Sequence, residues 1–251
     1  MDKTIKVGLL GCGTVGGGVL LVLQKNKEII AKKTGCPIEI KTVLVRDKQK
    51  LKPEIKKFKI PVTEDPETIF NDPEIDVVVE LIGRVHPAKE YIEAALRKGK
   101  SVVTANKDVL AEYGDELFAL AAEKKVDFQF EGAVGGGIPI IRPLRSCLAA
   151  NQISGIMGIV NGTTNYMLTR MSQEGLAYAD ALAEAQAKGY AEADPTADVE
   201  GLDAARKIAV LASLAFNTRL TLQDVHVEGI DNLDACDVAY ACLLYTSPSP
   251  R

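Results

Sequence analysis

Histidine is nearly absent from this 251-residue chain: there are two, His86 and His226, far apart and without metal-ligand spacing. Neither is assigned a catalytic role. The five cysteines, Cys12, Cys36, Cys147, Cys236 and Cys242, are an odd number and show no CxxC spacing. They therefore indicate neither a disulfide framework nor a zinc site, and read as reduced thiols of a cytoplasmic protein. No serine or cysteine sits in an elbow such as GxSxG, so nucleophilic catalysis lacks support. There is no excess of positive charge: the formal charge is -4, and no basic cluster lies on an aromatic platform, which argues against nucleic acid as a partner. Long apolar runs are missing too. The longest near the start, in KVGLLGCGTVGGGVLLVL, is broken by six glycines and a cysteine, so neither a signal peptide nor a membrane span is expected.

What remains is the composition of a globular protein, 47% hydrophobic and 25% charged, with enough length for one large or two ordinary domains. Short β-branched runs alternate with helical patterns. Strands are expected at Ile5–Leu10, Ile38–Val45, Asp76–Ile82, Ser101–Val103 and Val126–Phe130, and helices at Val15–Lys32, Ala88–Lys98 and Asp108–Lys125. That alternation predicts an α/β fold, a Rossmann-type doubly wound parallel sheet over residues 1–140. The glycine-dense stretch Gly132–Pro139 marks its exit. Beyond it an α+β domain is expected over 141–240, with a strand at Ile153–Val160 and helices at Tyr166–Ser172, Ala177–Lys188 and Asp198–Phe216, followed by a tail at 241–251.

GCGTVG (Gly11, Gly13, Thr14, Val15, Gly16) closes a predicted strand and opens a predicted helix, the context that distinguishes a dinucleotide fingerprint from a chance GxGxxG. The first glycine makes the turn, the second admits a pyrophosphate, and the third packs helix on strand. After the second strand Arg46 precedes Asp47. An arginine there accommodates a 2'-phosphate and an acid grips a free 2'-hydroxyl, so NADP(H) is favoured and NAD(H) remains open. TANK (Thr104–Lys107) falls at the ligand-binding edge of a parallel sheet. Its lysine is either a helix-start cation or a functional group. In Glu131–Pro139 one carboxylate precedes a flexible backbone able to turn carbonyls onto a hard cation, and the same stretch reads equally as a hinge. NGTTNY could offer the N–H of Gly162 and the hydroxyl of Thr163 to a carboxylate, or be ordinary capping.

GYAEADPTADVEGLDAARK packs Glu192, Asp194, Asp198, Glu200 and Asp203 into twelve residues and ends on Lys207. Asp194 can cap a helix beginning at Pro195. Asp203 and Lys207, spaced i,i+4, share a face; exposed, such a pair contributes a few tenths of a kcal/mol, whereas in a site it could hold a hydroxyl and move its proton.

Taken in order, GCGTVG, ELIG, TANK, EGAVGGGIPII, GIVNGTTNYML and GYAEADPTADVEGLDAARK resemble homoserine dehydrogenase over about residues 4–240. The resemblance implies NAD(P)-dependent interconversion of L-homoserine and L-aspartate 4-semialdehyde, in the route to threonine and methionine. It also implies roles. Glu192 would bind the ammonium of the amino-acid substrate, with Tyr190 and Asp198 close by. Asp203 would sit near the reacting hydroxyl, Lys207 would supply the proton, and Lys107 would help bind substrate and cofactor and share the proton transfer. A structural Na+ would rest on Glu131 and the carbonyls of Val134, Gly136 and Ile138. The family is usually a homodimer through its second domain, so a homodimer is expected if that domain is complete.

Three departures stand out. The usual ELIGG is ELIGR, with Arg84 in the loop; no ACT-like regulatory domain follows; and ACLLYTSPSPR matches nothing in the family, as a foreign tail on a shortened chain would. Two alternatives to turnover of homoserine follow. One is a cofactor-binding fragment. The other is a different Rossmann amino-acid dehydrogenase, such as an aspartate semialdehyde dehydrogenase, for which Cys147 is poorly placed as nucleophile.

Overall fold

The computed structural model describes residues 3–245, and the chain divides into two compact units, Met1–Ala149 and Ala150–Arg251. The first is built on six parallel strands, β1 (Ile5–Leu10), β2 (Ile38–Leu44), β3 (Val62–Thr63), β4 (Val77–Glu80), β5 (Ser101–Thr104) and β6 (Phe128–Gln129). Their order, β3-β2-β1-β4-β5-β6, is that of the dinucleotide-binding sheet. The crossovers are α1 (Thr14–Lys25), α2 (Lys27–Thr34), α3 (Pro53–Lys56), α4 (Glu67–Phe70), α5 (Ala88–Arg97) and α6 (Lys107–Lys124). Because helices cover both faces, the central strands are near-continuous apolar runs. Leu9, Leu10, Val43, Val78 and Val102 are buried, with Leu20, Ile92 and Leu96 from the helices. The helix expected at Val15–Lys32 is two helices. Asn26 (φ -109°, ψ 19°) ends α1 with its N–H on the Val22 carbonyl, and Ile30 N–H restarts the ladder on the Asn26 carbonyl.

The second unit contains α7 (Gly162–Glu174), α8 (Tyr178–Ala187), α9 (Thr196–Val199), α10 (Leu202–Phe216) and α11 (Ala235–Tyr245). Its core is thin and rich in small residues: Met167 and Met171 of α7 meet Ala181 and Ala185 of α8, with Ala191 and Val199. The strand expected at Ile153–Val160 is corrected. Among the described residues this segment pairs with no other strand, so the alternation in its sequence finds no neighbouring ladder, and Met157 and Ile159 are 100% and 78% exposed. The helix expected at Asp198–Phe216 is also interrupted. Gly201 sits at φ +82°, and a Cβ there would lie 2.8 Å from the Glu228 carbonyl oxygen, so the chain turns at the one residue that can and begins α10 anew. Pro195, expected as a first helical residue, instead precedes α9, and Asp194 Oδ1 accepts from the Thr196 N–H at 3.2 Å. Residues 246–251, on which most of the expected tail falls, lie outside the described residues, while α11 runs through Tyr245. Among the described residues no helix is long and apolar enough to cross a membrane.

One buried polar chain ties the carboxyl ends of β4 and β5 to α6. Glu80 is fully buried; its Oε1 accepts from Ile82 N–H at 2.7 Å and its Oε2 from the Thr104 hydroxyl at 2.6 Å. Thr104 Oγ1 in turn accepts from Asn106 N–H (3.0 Å). The Asn106 side chain donates to the Arg84 carbonyl (2.7 Å) and caps α6 by accepting from Val109 N–H (3.2 Å). Removing the Glu80 carboxylate strands the buried Thr104 hydroxyl and the half-buried Ile82 N–H, so Glu80→Ala is expected to destabilise the first unit by about 2–4 kcal/mol. Chemical denaturation checks this. A loss below about 0.5 kcal/mol, the size of an ordinary surface change, would show that the network is not needed.

Candidate active site

The turn from β1 into α1 shows why each glycine is where it is. A Cβ on Gly16 would lie 2.1 Å from the Gly11 carbonyl oxygen, so glycine there is demanded by packing of helix on turn. Gly13 is different: its φ is -75°, and a Cβ would meet nothing within 4 Å. The fold has no use for glycine at that position, and the open space is what a diphosphate approaching the backbone would fill. The start of α1 has no side-chain cap and no acid in its first turn, which leaves its N–H groups and positive dipole end for an anion. The residues present thus fit a dinucleotide.

A cleft of about 560 Å³ opens beside this turn. Of the residues expected to bind cofactor, Gly11, Gly13 and Arg46 line it, and Thr14, Val15, Gly16, Thr104 and Lys107 do not. Thr14 and Val15 begin α1 and are exposed. Thr104 is buried with its hydroxyl engaged by Glu80 and Asn106, so its side chain supports the sheet edge. Lys107 is half-buried and opens α6 behind the Asn106 cap. Sequence reasoning missed Lys50, a second cation on the cleft wall. It also left open what Asp47 does. Asp47 Oδ1 accepts from Gln49 N–H at 2.8 Å and Oδ2 lies 3.7 Å from Lys50 Nζ, which directs this carboxylate to its own turn.

In the second unit Asp203 and Lys207 are not the exposed pair that i,i+4 spacing alone would describe. Asp203 is 8% exposed and the Lys207 side chain 17%. Lys207 Nζ donates to Asp203 Oδ2 at 2.5 Å and to the Val160 carbonyl at 2.7 Å, which uses two of its three N–H bonds. The next residue, Asn161, donates through Nδ2 to Asp198 Oδ1 (2.7 Å) and Asp203 Oδ2 (2.9 Å). Asp198, Asp203 and Lys207 are therefore held in one cluster. Thr163 donates its hydroxyl to the Tyr190 carbonyl at 2.9 Å, and Tyr190 packs its ring against Tyr166 with centroids 4.9 Å apart. Lys188 Nζ donates to the Tyr166 hydroxyl (2.7 Å) and to Glu184 (2.6 Å); with Arg170 it pulls the Glu184 carboxyl down to about 2. Gly162 is exposed at the first position of α7. Glu192 is not drawn into the cluster: its carbonyl accepts from Gln186, and its side chain is exposed.

Glu131 stands apart. Its Oε1 accepts from the N–H groups of Ile140 (2.7 Å) and Ile141 (3.0 Å), and its Oε2 from that of Arg142 (2.8 Å), so the carboxylate gathers the backbone entering the helical turn Pro143–Cys147. Oε2 takes one N–H and retains acceptor capacity, which fits a hard cation sharing the site. Val134 is buried, and Gly136 and Ile138 are exposed on the loop between. Among the described residues no group of three His, Cys, Asp or Glu side chains could hold a metal.

A 3-2-1-4-5-6 sheet with this glycine turn defines a dinucleotide-binding α/β protein. Comparison with known proteins narrows the class. Residues 11–131 match the family model for the NAD-binding domain of homoserine dehydrogenase, and residues 139–244 match the homoserine dehydrogenase model. The chain belongs to the homoserine dehydrogenase family. It is 49% identical over 239 residues to a homoserine dehydrogenase of Bacillus subtilis, covering 95% of this chain and 55% of that protein. The crystal structure of one from Thiobacillus denitrificans superposes with a TM-score of 0.91 at 49% identity, over 96% of this chain and 56% of that one. A hyperthermophilic archaeal homoserine dehydrogenase in complex with NADPH matches with a TM-score of 0.78 at 28% identity, over 93% of this chain and 76% of that one. The chain thus spans about half the length of the Bacillus and Thiobacillus proteins.

The two glycines separate fold from ligand experimentally. Gly16→Ala is expected to destabilise by about 1–3 kcal/mol through backbone overlap. Gly13→Ala should hold stability within about 0.5 kcal/mol while weakening NADPH binding at least tenfold, as read by unfolding curves beside a fluorescence titration. Equal effects of the two on binding and stability would contradict this division.

Proposed function

We propose that this chain carries out the NAD(P)-dependent interconversion of L-homoserine and L-aspartate 4-semialdehyde. The observation that carries the proposal is the nearly buried Asp203–Lys207 pair, whose lysine keeps one N–H bond for an incoming oxygen. When bound, the nicotinamide cofactor supplies the hydride to the aldehyde carbon. The oxygen left behind becomes an alkoxide and must gain a proton. Lys207 donates it through its third N–H, and the Asp203 carboxylate steadies the ammonium until transfer. The substrate's own ammonium is met by Glu192, exposed and uncommitted to the cluster, with Tyr190 and Asp198 beside it in sequence. Its carboxylate is offered the N–H of Gly162 in the first turn of α7, where a helix leaves donors unsatisfied, whereas the Thr163 hydroxyl, expected for the same task, donates to the Tyr190 carbonyl. Lys107, Thr14 and Val15 belong to the cofactor side, while Gly16 and Thr104, expected there, serve the turn and the sheet edge instead.

NADP(H) is the favoured cofactor, with NAD(H) possible. Arg46 and Lys50 line the cleft together with Asp47 and Glu64, and each of these acids accepts a backbone N–H, Asp47 from Gln49 and Glu64 from Lys48, which leaves the two cations to meet a 2'-phosphate. Na+ is a structural ligand of Glu131 and the carbonyls of Val134, Gly136 and Ile138, supported by the remaining acceptor capacity of Glu131 Oε2. A homodimer fits the exposed apolar side chains of Met157 and Ile159 on an unpaired segment.

Steady-state kinetics test the roles. Lys207→Ala should lower kcat by about 10²-fold or more with NADPH affinity retained, because it removes the proton donor. Glu192→Ala should instead raise KM for the amino-acid substrate. A Lys207→Ala protein with near-normal kcat would return the pair to a structural role and leave Lys107 as the candidate donor.

A further inference from the structure

Asn161 makes four contacts with one side chain. Its Oδ1 accepts from the Thr164 N–H (2.8 Å) and the Thr164 hydroxyl (2.9 Å), which caps α7. Its Nδ2 donates to Asp198 Oδ1 and Asp203 Oδ2. Asn161 is itself buried. The two jobs are coupled by the planarity of the amide: once Oδ1 is fixed by the cap, both N–H bonds point along fixed directions. Each of these meets a carboxylate, 37 and 42 residues away in sequence.

Two carboxylates drawn to one side repel each other, and donors between them offset that repulsion. Lys207 serves only Asp203 in this respect. For Asp198, the donor on hand is Asn161. Capping alone would be satisfied by Ser, Thr or Asp, which bind the same helical N–H. None of those reaches two carboxylates with two N–H donors. Asparagine is the small side chain that supplies an acceptor to the helix and two donors to the acids at once.

We infer that Asn161 is a positioning residue for the proposed reaction: it clamps Asp198 and Asp203 together and thereby fixes the Lys207 ammonium, which Asp203 and the adjoining Val160 carbonyl hold. This rests on the function proposed above. Asn161→Ser separates clamp from cap, since serine keeps the capping acceptor and loses both amide donors. The crystal structure of Asn161→Ser should show the carboxylates of Asp198 and Asp203 moved apart with α7 intact, whatever stability is lost with the two amide hydrogen bonds. Its kcat should fall at least tenfold with KM for NADPH unchanged. Combined with Asp203→Ala, the loss should be clearly less than the product of the two single losses, because both act through the same ammonium. Unmoved carboxylates with wild-type kcat would overturn the inference and leave Asn161 as a cap. So would losses that multiply, which would mean that Asn161 acts independently of Asp203. Lys207→Ala serves as the control: if it too leaves kcat unchanged, the catalytic role proposed for the Asp203–Lys207 pair fails, and with it that of Asn161, whereas if it alone lowers kcat, only the role of Asn161 fails.

Discussion

The Asp203 carboxylate is the group on which the buried polar cluster of the second unit depends. A buried carboxylate costs several kcal/mol unless charge and hydrogen bonds compensate it. Here a single oxygen, Oδ2, receives both the Lys207 ammonium and an Asn161 amide N–H. Neighbouring features follow from that need. Gly201 turns the chain so that α10 begins one residue before Asp203, which places the acid in the first turn, where the helix dipole favours it. Lys207 then falls one turn later on the same face, and the Val160 carbonyl takes a second of its N–H bonds. In water the same pair would contribute a few tenths of a kcal/mol. Burial is what makes its geometry definite.

The first unit solves a comparable problem at its sheet edge. Glu80 is buried and takes two uncharged donors, Ile82 N–H and the Thr104 hydroxyl, so the acid serves to join strand ends. Asn106 there and Asn161 in the second unit act in the same way: each caps a helix through Oδ1 and reaches a distant acceptor through Nδ2. In both units a helix start is held by an asparagine whose amide N–H groups are engaged elsewhere. Glu131 caps by the inverse route, one carboxylate collecting three successive N–H groups.

Much of this was legible in the sequence. The parallel sheet follows from β-branched runs alternating with helical ones, and GCGTVG falls at the β1–α1 turn as its context required. Spacing alone put Asp203 and Lys207 on one face. It could not show their burial, because that depends on Asn161 and Val160, some forty residues upstream. Helical periodicity carries across Asn26 and Gly201, so both breaks were invisible until local dihedrals were known. Ile153–Val160 has the composition of a strand, but a strand is defined by a neighbour, and composition does not provide one. Glu80 was visible only as part of a family motif. Nothing in ELIG announces that its acid is the most enclosed polar side chain of the sheet edge, and Lys50 became relevant only when the chain folded it to the cleft beside Arg46.

The most direct test of the account follows the hydride itself. The chain is mixed with L-aspartate 4-semialdehyde and NADPH deuterated at its transferable position, and the product is analysed by mass spectrometry. The account predicts L-homoserine carrying one deuterium for each cofactor oxidised. Cofactor that binds in the cleft while no deuterated homoserine forms would contradict it and would leave the chain as a dinucleotide-binding protein without this turnover.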